Sequence, residues 1–283
     1  SMPQGGMMLK KTIHGDVIRF DLARTMLGRG RYWTTAYLIG HTLIDSGCAH
    51  TSRELVAALG DTRIERIINT HTHEDHIGAN GSLQRRDPGI SIRVHPDGLP
   101  VLSDPRNRQP LHPYQRVMWG WPTASHGSPV NDGDIVETSS FRFQAIYTPG
   151  HADDHLSYWE PDRGWLFSGD LFVGGSERAL RVDYDIWGII KSLKKIARLD
   201  AAILFPGSAK VRGNPGPEID RKIDYLEDLG GRILEQRRQG KSVRQIVKAL
   251  LGPPLLLEAI TLGHFSRAQL VRSCLRRGNT TAT

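Results

Sequence analysis

Thr70-His71-Thr72-His73-Glu74-Asp75-His76 decides the reading of this chain. His71, His73, Asp75 and His76 are metal-binding side chain types, and they fall within one short string directly after the isoleucine-rich run 63–69. Side chains alternate along an extended chain, so His71 and His73 share one side. A helical turn after them would aim Asp75 and His76 at a second point nearby. That geometry suits two adjacent cations, each taking nitrogen and oxygen donors. Imidazole with carboxylate favours zinc, with iron or manganese as alternatives. One His-X-His arises by chance in many chains; the full string after a buried strand is far more specific.

Two later segments extend the pattern. Thr148-Pro149-Gly150-His151 closes the strand-like run 141–148, and Phe167-Ser168-Gly169-Asp170 closes the run 164–167. A strand ending in one His or Asp means little alone; with the first string it adds a third imidazole and another carboxylate. Around these segments the chain reads as strands at 17–22, 34–44, 91–95, 135–138, 155–159 and 201–205, with short helices between them. Residues 96–129 show no clear period, and a stretch that long inside a domain is a functional cover or an irregular insertion. Isoleucines and Leu193 recur at helical spacing over 184–199. After residue 210 the style changes to helices only. Ser242 with Gln245 and Ser266 with Gln269 form capping-box patterns that open two of them.

Composition sets the limits. The chain has 283 residues, 39% hydrophobic and 24% charged, as in a globular protein with a sizeable core. Two cysteines, Cys48 and Cys274, exclude a disulfide scaffold and a Cys-rich zinc module, and suit a reducing cytoplasm. No apolar stretch reaches the roughly 20 residues that span a bilayer. The net charge of +7 lies almost wholly beyond residue 211, where 13 Lys and Arg face 7 Asp and Glu. There is no Gly-X-Ser-X-Gly and no P-loop, and Gly28-Arg29-Gly30 lacks the rest of a dinucleotide fingerprint.

The order His71-X-His73-X-Asp75-His76, His151, Asp170 resembles the metallo-β-lactamase superfamily of hydrolases, in style its glyoxalase II-like branch. The resemblance covers about residues 15–210. It implies an α/β fold, a four-layer αββα sandwich with metals at one edge between two sheets. A catalytic domain over 7–211 would carry a small C-terminal helical lobe over 212–277. Carried over residue by residue, His71, His73 and His151 resemble the first metal site, Asp75 and His76 the second, and Asp170 the bridging carboxylate. Leu43-Ile44-Asp45-Ser46-Gly47 resembles a recurrent early motif, in which Asp45 would orient a ligand histidine. The family usually ends its metal set with a His after Pro-Gly; here Pro206-Gly207 is followed by Ser208, a much weaker ligand. Zinc is therefore expected as one or two ions, with the second site weakened.

The activity implied is hydrolysis by a metal-bound hydroxide, with Asp75 as ligand and proton acceptor. The substrate would be a small-molecule thioester, ester, lactone or β-lactam. Three alternatives stand beside it. One is a metallo-nuclease for RNA or single-stranded DNA, with the basic lobe on phosphates. The others are a one-metal iron persulfide dioxygenase-like enzyme and a catalytically impaired binding protein. The lobe reads equally as a cover on one side of the site or as a homodimer interface. Arg178 and Arg181 either neutralise an anionic substrate or form a solvated face. His112, Tyr114, Trp119 and Trp121 either wall the site or simply pack. His155 reads as structural or as a support for a ligand. His264 lies too far along the lobe to be assumed as the missing ligand.

Overall fold

Strands Val17–Met26 and Arg29–Ile39 form a long antiparallel pair, and Met7–His14 adds to its outer edge. The computed structural model describes residues 7–26, 29–138 and 140–276; Gly28 of the glycine pair and Arg277 at the end of the lobe lie outside them. The run expected over 34–44 is broken at Gly40, whose φ of 56° makes the turn into Thr42–Ile44. From there the sheet becomes parallel: Thr42–Ile44, Arg66–Ile68, Ser91–Val94 and Ser128–Pro129 stand side by side. Parallel neighbours need crossovers, and helices Ser52–Leu59 and Asn80–Arg86 supply two of them. Those helices cover the outer face with Leu55, Leu59 and Leu83, so Thr42–Ile44 is buried on both sides.

A second sheet has the order Arg212–Gly213, Ile203–Pro206, Trp165–Gly169, Leu156–Glu160, Arg142–Tyr147, Ile135–Glu137. The sheets face each other across an aromatic layer in which Tyr37 meets Phe167 and Phe205 edge-on. The outer face of this sheet is covered by helix Ile186–Ala197, whose Asp185 cap accepts from Trp187 N. Ile186, Ile189, Ile190, Leu193 and Ile196, the periodic residues, are its buried face. The result is the four-layer αββα sandwich.

The tail expected from residue 212 is helical with two exceptions, the first being Arg212–Gly213, which is an edge strand of the second sheet. Helices Gly216–Arg238, Val243–Leu250, Leu256–Ile260 and Arg267–Arg276 follow one another, the second opened by the Ser242–Gln245 capping box. Between the last two, Phe265–Ser266 forms a two-residue strand antiparallel to Leu180–Arg181. That pairing ties the lobe to the segment just after Asp170. Residues 96–129 hold three short helices, Leu99–Ser103, Pro105–Arg108 and Pro113–Met118, too short to give a period. Among the described residues no helix is long and apolar enough to cross a membrane.

Candidate metal centre

Strand direction brings the polar residues together. Thr42–Ile44 and Arg66–Ile68 are parallel, so the residues that follow them emerge at the same sheet edge, with Asp45 N bonded to Ile68 O at 3.0 Å. In the other sheet Arg142–Tyr147, Trp165–Gly169 and Ile203–Pro206 share one direction. They release His151, Asp170 and Ser208 at the facing edge. Each strand is held by the core, so the loop side chains are aimed by rigid supports.

Three ring nitrogens converge: His71 Nε2 lies 2.9 Å from His73 Nδ1, which lies 3.1 Å from His151 Nε2. A second donor group joins His71, His76 and Asp170. Asp170 Oδ2 stands between the two, 3.7 Å from His151 Nε2 and 3.5 Å from His76 Nε2. Asp75 Oδ2 is 3.9 Å from His76 Nε2. The chain reaches this arrangement through a tight turn, His76 N to His73 O, and not through the expected helix, which starts only at Asn80.

The electrostatics fit a cation. Burial holds the His71 and His73 imidazoles well below their ordinary range, and neighbouring rings, with Arg181 beside His73, add to the effect. Burial also lowers His151 to about 4, against the pull of Asp170. All three are therefore neutral, the form that ligates metal. His76 is the exception. Burial opposes its charge, but Asp170, Asp45 and Asp75 together raise it well above the usual value. Burial pushes the Asp75 carboxyl up to about 7, while His76 holds Asp170 low despite the same penalty. Asp170 Oδ1 is buried with no hydrogen-bond partner among the described residues. A buried carboxylate oxygen without a partner is costly unless a cation takes it. The donor set thus fits a metal of the zinc, iron or manganese type.

Buried hydrogen bonds orient the donors. Asp45 Oδ2 lies 2.8 Å from His76 Nδ1, and its two oxygens accept from Thr70 N and Thr70 Oγ1, both at 2.7 Å. Thr70 Oγ1 in turn sits 3.0 Å from His71 Nδ1. Asp154 clamps the string at its third residue, accepting from Thr72 N at 2.9 Å and Thr72 Oγ1 at 2.6 Å. Gly207 has no room for a side chain: a Cβ there would stand 2.3 Å from Asp170 Oδ1 and 2.8 Å from His76 Cε1.

The remaining sequence candidates separate cleanly. Arg181 is not a solvated residue: its guanidinium is bidentate to Asp183 and reaches His73 Nε2. Arg178 donates to Leu251 O and Pro253 O, a tether to the lobe. His155 is fully buried, with Nδ1 on Thr148 Oγ1. Tyr114 and Trp119 wall a cavity of about 290 Å³ over the donors, whereas Trp121 lies between Arg106 and Arg116. His264 joins neither donor group; it stacks on His112 with 3.8 Å between centroids and bonds Tyr114 Oη. Sequence reading missed Thr70, Thr72, Asp154, Tyr184 and the lobe residues Leu257 and Phe265. Only Asp154, three residues after His151, carried any signal.

The profile described as the metallo-beta-lactamase superfamily matches residues 30–208. A hydroxyacylglutathione hydrolase of Legionella pneumophila is 34% identical over 116 residues, 41% of this chain and 37% of its own. An atrochrysone carboxyl ACP thioesterase of Aspergillus fumigatus is 27% identical over 230 residues, 77% of this chain and 59% of its own. The chain thus spans less than two thirds of the length of either relative. Among solved structures, a metallo-beta-lactamase family protein of Thermus thermophilus superposes with a TM-score of 0.62 at 19% identity, over 96% of this chain and 94% of that one.

Proposed function

This chain belongs to the metallo-β-lactamase superfamily, and from that membership we propose that it is a metal-dependent hydrolase of small acyl substrates, thioesters first among them. The observation that carries the reading is the convergence of His71, His73 and His151 beside Asp170, with His76 on its far side. His71, His73 and His151 would hold one cation, and Asp75, His76 and Asp170 a second, with Asp170 shared. A bound cation supplies Lewis acidity and lowers the pKa of water.

The chain's own groups do the rest. Hydrolysis forms a C–O bond to water, breaks the acyl C–S bond and passes one water proton to the departing sulfur. Asp75, mostly buried and drawn toward neutral pH, accepts the other proton. Asp45 and Thr70 fix the imidazole orientations before substrate arrives. Thioesters suit the site because a thiolate leaves without strong assistance, so a weak second cation costs least there. The names of two relatives, a thioesterase and a hydroxyacylglutathione hydrolase, support that choice.

Metal analysis of the purified protein, paired with a thioester assay, tests the reading. At least one tightly held zinc, iron or manganese ion is expected, with hydrolysis lost on chelation and restored by metal. No metal after reconstitution, or hydrolysis that survives chelation, overturns it. Ser208→His should raise occupancy of the second site and the rate together; unchanged stoichiometry would remove the idea that Ser208 weakens that site.

A further inference from the structure

Strand Ile203–Pro206 is joined to its antiparallel neighbour Arg212–Gly213 by the loop 207–211, which carries Ser208. The surroundings of Asp170 depend on this loop. Gly207 N donates to Gly169 O at 2.7 Å, and Gly207 lies so close to the centre that a Cβ there would collide with Asp170 Oδ1. The loop backbone thus covers Asp170 Oδ1, which has no hydrogen-bond partner among the described residues. A loop that moved away would let water solvate that oxygen in place of a cation.

Ser208 offers a cation little hold on the loop, and side chains hold it instead. Tyr37 Oη donates to Pro206 O, Arg19 Nη2 to Ala209 O, and Arg212 Nη1 to Lys210 O at 2.7 Å. The first two reach over from the facing sheet, across 169 and 190 positions. Arg19 and Tyr37 are cross-strand partners there, and Asp21 pairs with Thr35 one step along the same face. Asp21 Oδ1 accepts from Arg19 Nε at 2.9 Å and from Thr35 Oγ1 at 3.1 Å. Arg19 is only 7% exposed. A buried ion pair is weak evidence for stability, and two sheets pack without one, so the guanidinium points to a more specific task. The backbone shows which. Ala209 has a φ of 66°, the left-handed region that a Cβ disfavours. Its carbonyl is the one that Arg19 holds, and the turn made there sends the chain back along Ile203–Pro206 after Ser208.

We propose that Arg19 is a positioning residue for the metal centre: by holding Ala209 in its left-handed conformation it keeps Gly207 over Asp170 and Ser208 on the wall of the donor cavity. This rests on the metal-dependent reading above and adds what shields the shared carboxylate from water. Asp170 belongs to both donor groups proposed there, so either cation responds when the loop moves. Asp21 orients the guanidinium, and Tyr37 holds the other end of the loop. Arg19 touches neither substrate nor cation; it acts only through the backbone of residue 209.

The test uses the full chain and zinc. Arg19→Met combined with Asp21→Asn removes the clamp without leaving a carboxylate unpaired. Zinc affinity, measured by competition with a chromogenic chelator, should fall about tenfold, the lower end of what loss of an outer support costs. Hydrogen–deuterium exchange over 205–212 should quicken, while exchange in helix Ile186–Ala197 stays as in wild type and shows that the fold is intact. Ala209→Gly alone should leave zinc affinity unchanged. Added to the Arg19 variant, it should recover most of the loss, because glycine takes a φ of 66° without the Cβ penalty. A residue that merely fills space between sheets is not rescued by a change of backbone freedom 190 positions away. Wild-type zinc affinity and loop exchange in the Arg19 variant overturn the proposal. So does a loss that Ala209→Gly fails to restore, which would place the effect in sheet packing. If the wild-type chain takes up no zinc, iron or manganese, the metal-dependent reading falls and takes this proposal with it. If it binds zinc and the rescue fails, that reading stands and only the role of Arg19 is wrong.

Discussion

At the residue scale the centre depends on groups that never touch a substrate. Asp45 is 2% exposed and spends both oxygens on His76 and Thr70. Its backbone has a φ of 56°, a conformation that Asn also tolerates. Asp45→Asn should therefore fold, yet present an N–H where His76 and Thr70 need an acceptor. Metal affinity should fall by about 10–100-fold, the usual cost of losing a partner of a ligand histidine. Competition against a chromogenic chelator measures this, and unchanged affinity would show that Asp45 serves the backbone alone. The string of candidate donors stands out in sequence because its members are adjacent along one strand end. Asp45 could be suspected but not placed, since its contact with His76 spans 31 positions. The bond between Thr72 and Asp154 spans 82 positions, so the nearness of Asp154 to His151 in sequence does not disclose its partner until the two sheets meet.

Among the elements, the contact between the stretch 96–129 and the lobe matters most for the site. His112 caps helix Pro113–Met118, and His264 precedes the strand Phe265–Ser266; their rings stack, and Tyr114 bonds His264. Partial burial, with His112 and Arg181 nearby and only Asp183 opposing, pulls His264 down to about 4. An unfolded histidine titrates near ~6.5. The folded state thus binds fewer protons between these values, so stability rises with pH across the window and is lost as pH falls from about 6.5 toward 4. The ring is partly exposed, so the effect is modest. His264→Phe keeps an aromatic ring and removes the proton site. Its urea midpoint should fall less than that of wild type on acidification through this window. Parallel pH profiles would mean that the stack does not titrate. Neither helix Pro113–Met118 nor the strand Phe265–Ser266 announced itself in sequence, because six and two residues set no period. Helix Ile186–Ala197, by contrast, could be read because twelve residues repeat an apolar face three times over.

At the scale of the molecule, the basic excess and the core point in different directions. The basic excess lies after residue 211, yet part of it is buried and paired. Arg212, Lys222 and Arg267 are engaged by Glu218, Glu177 and Glu258. Beneath them the lobe shares one apolar layer with the sandwich. Ile219, Ile223, Leu226, Leu229, Ile233, Leu270 and Val271 lie in the same cluster as Leu166, Leu193 and Leu204. Each such side chain contributes about 1.5–3 kcal/mol by leaving water. Their sum, roughly 10–20 kcal/mol before the entropy cost of ordering the lobe, is of the same order as the net stability of a whole domain. A chain ending at residue 214 should therefore expose Ile189, Ile190 and Leu193 and be recovered aggregated or as a dye-binding, loosely ordered state. The full chain should unfold in one transition, with near-ultraviolet and far-ultraviolet signals coincident in urea. A truncated chain that is monomeric and unfolds cooperatively would show that the lobe is an addition. Two separated transitions in the full chain would show the same. Because Phe265 and Leu257 reach the donor cavity from the lobe, loss of the lobe should also open the site to solvent.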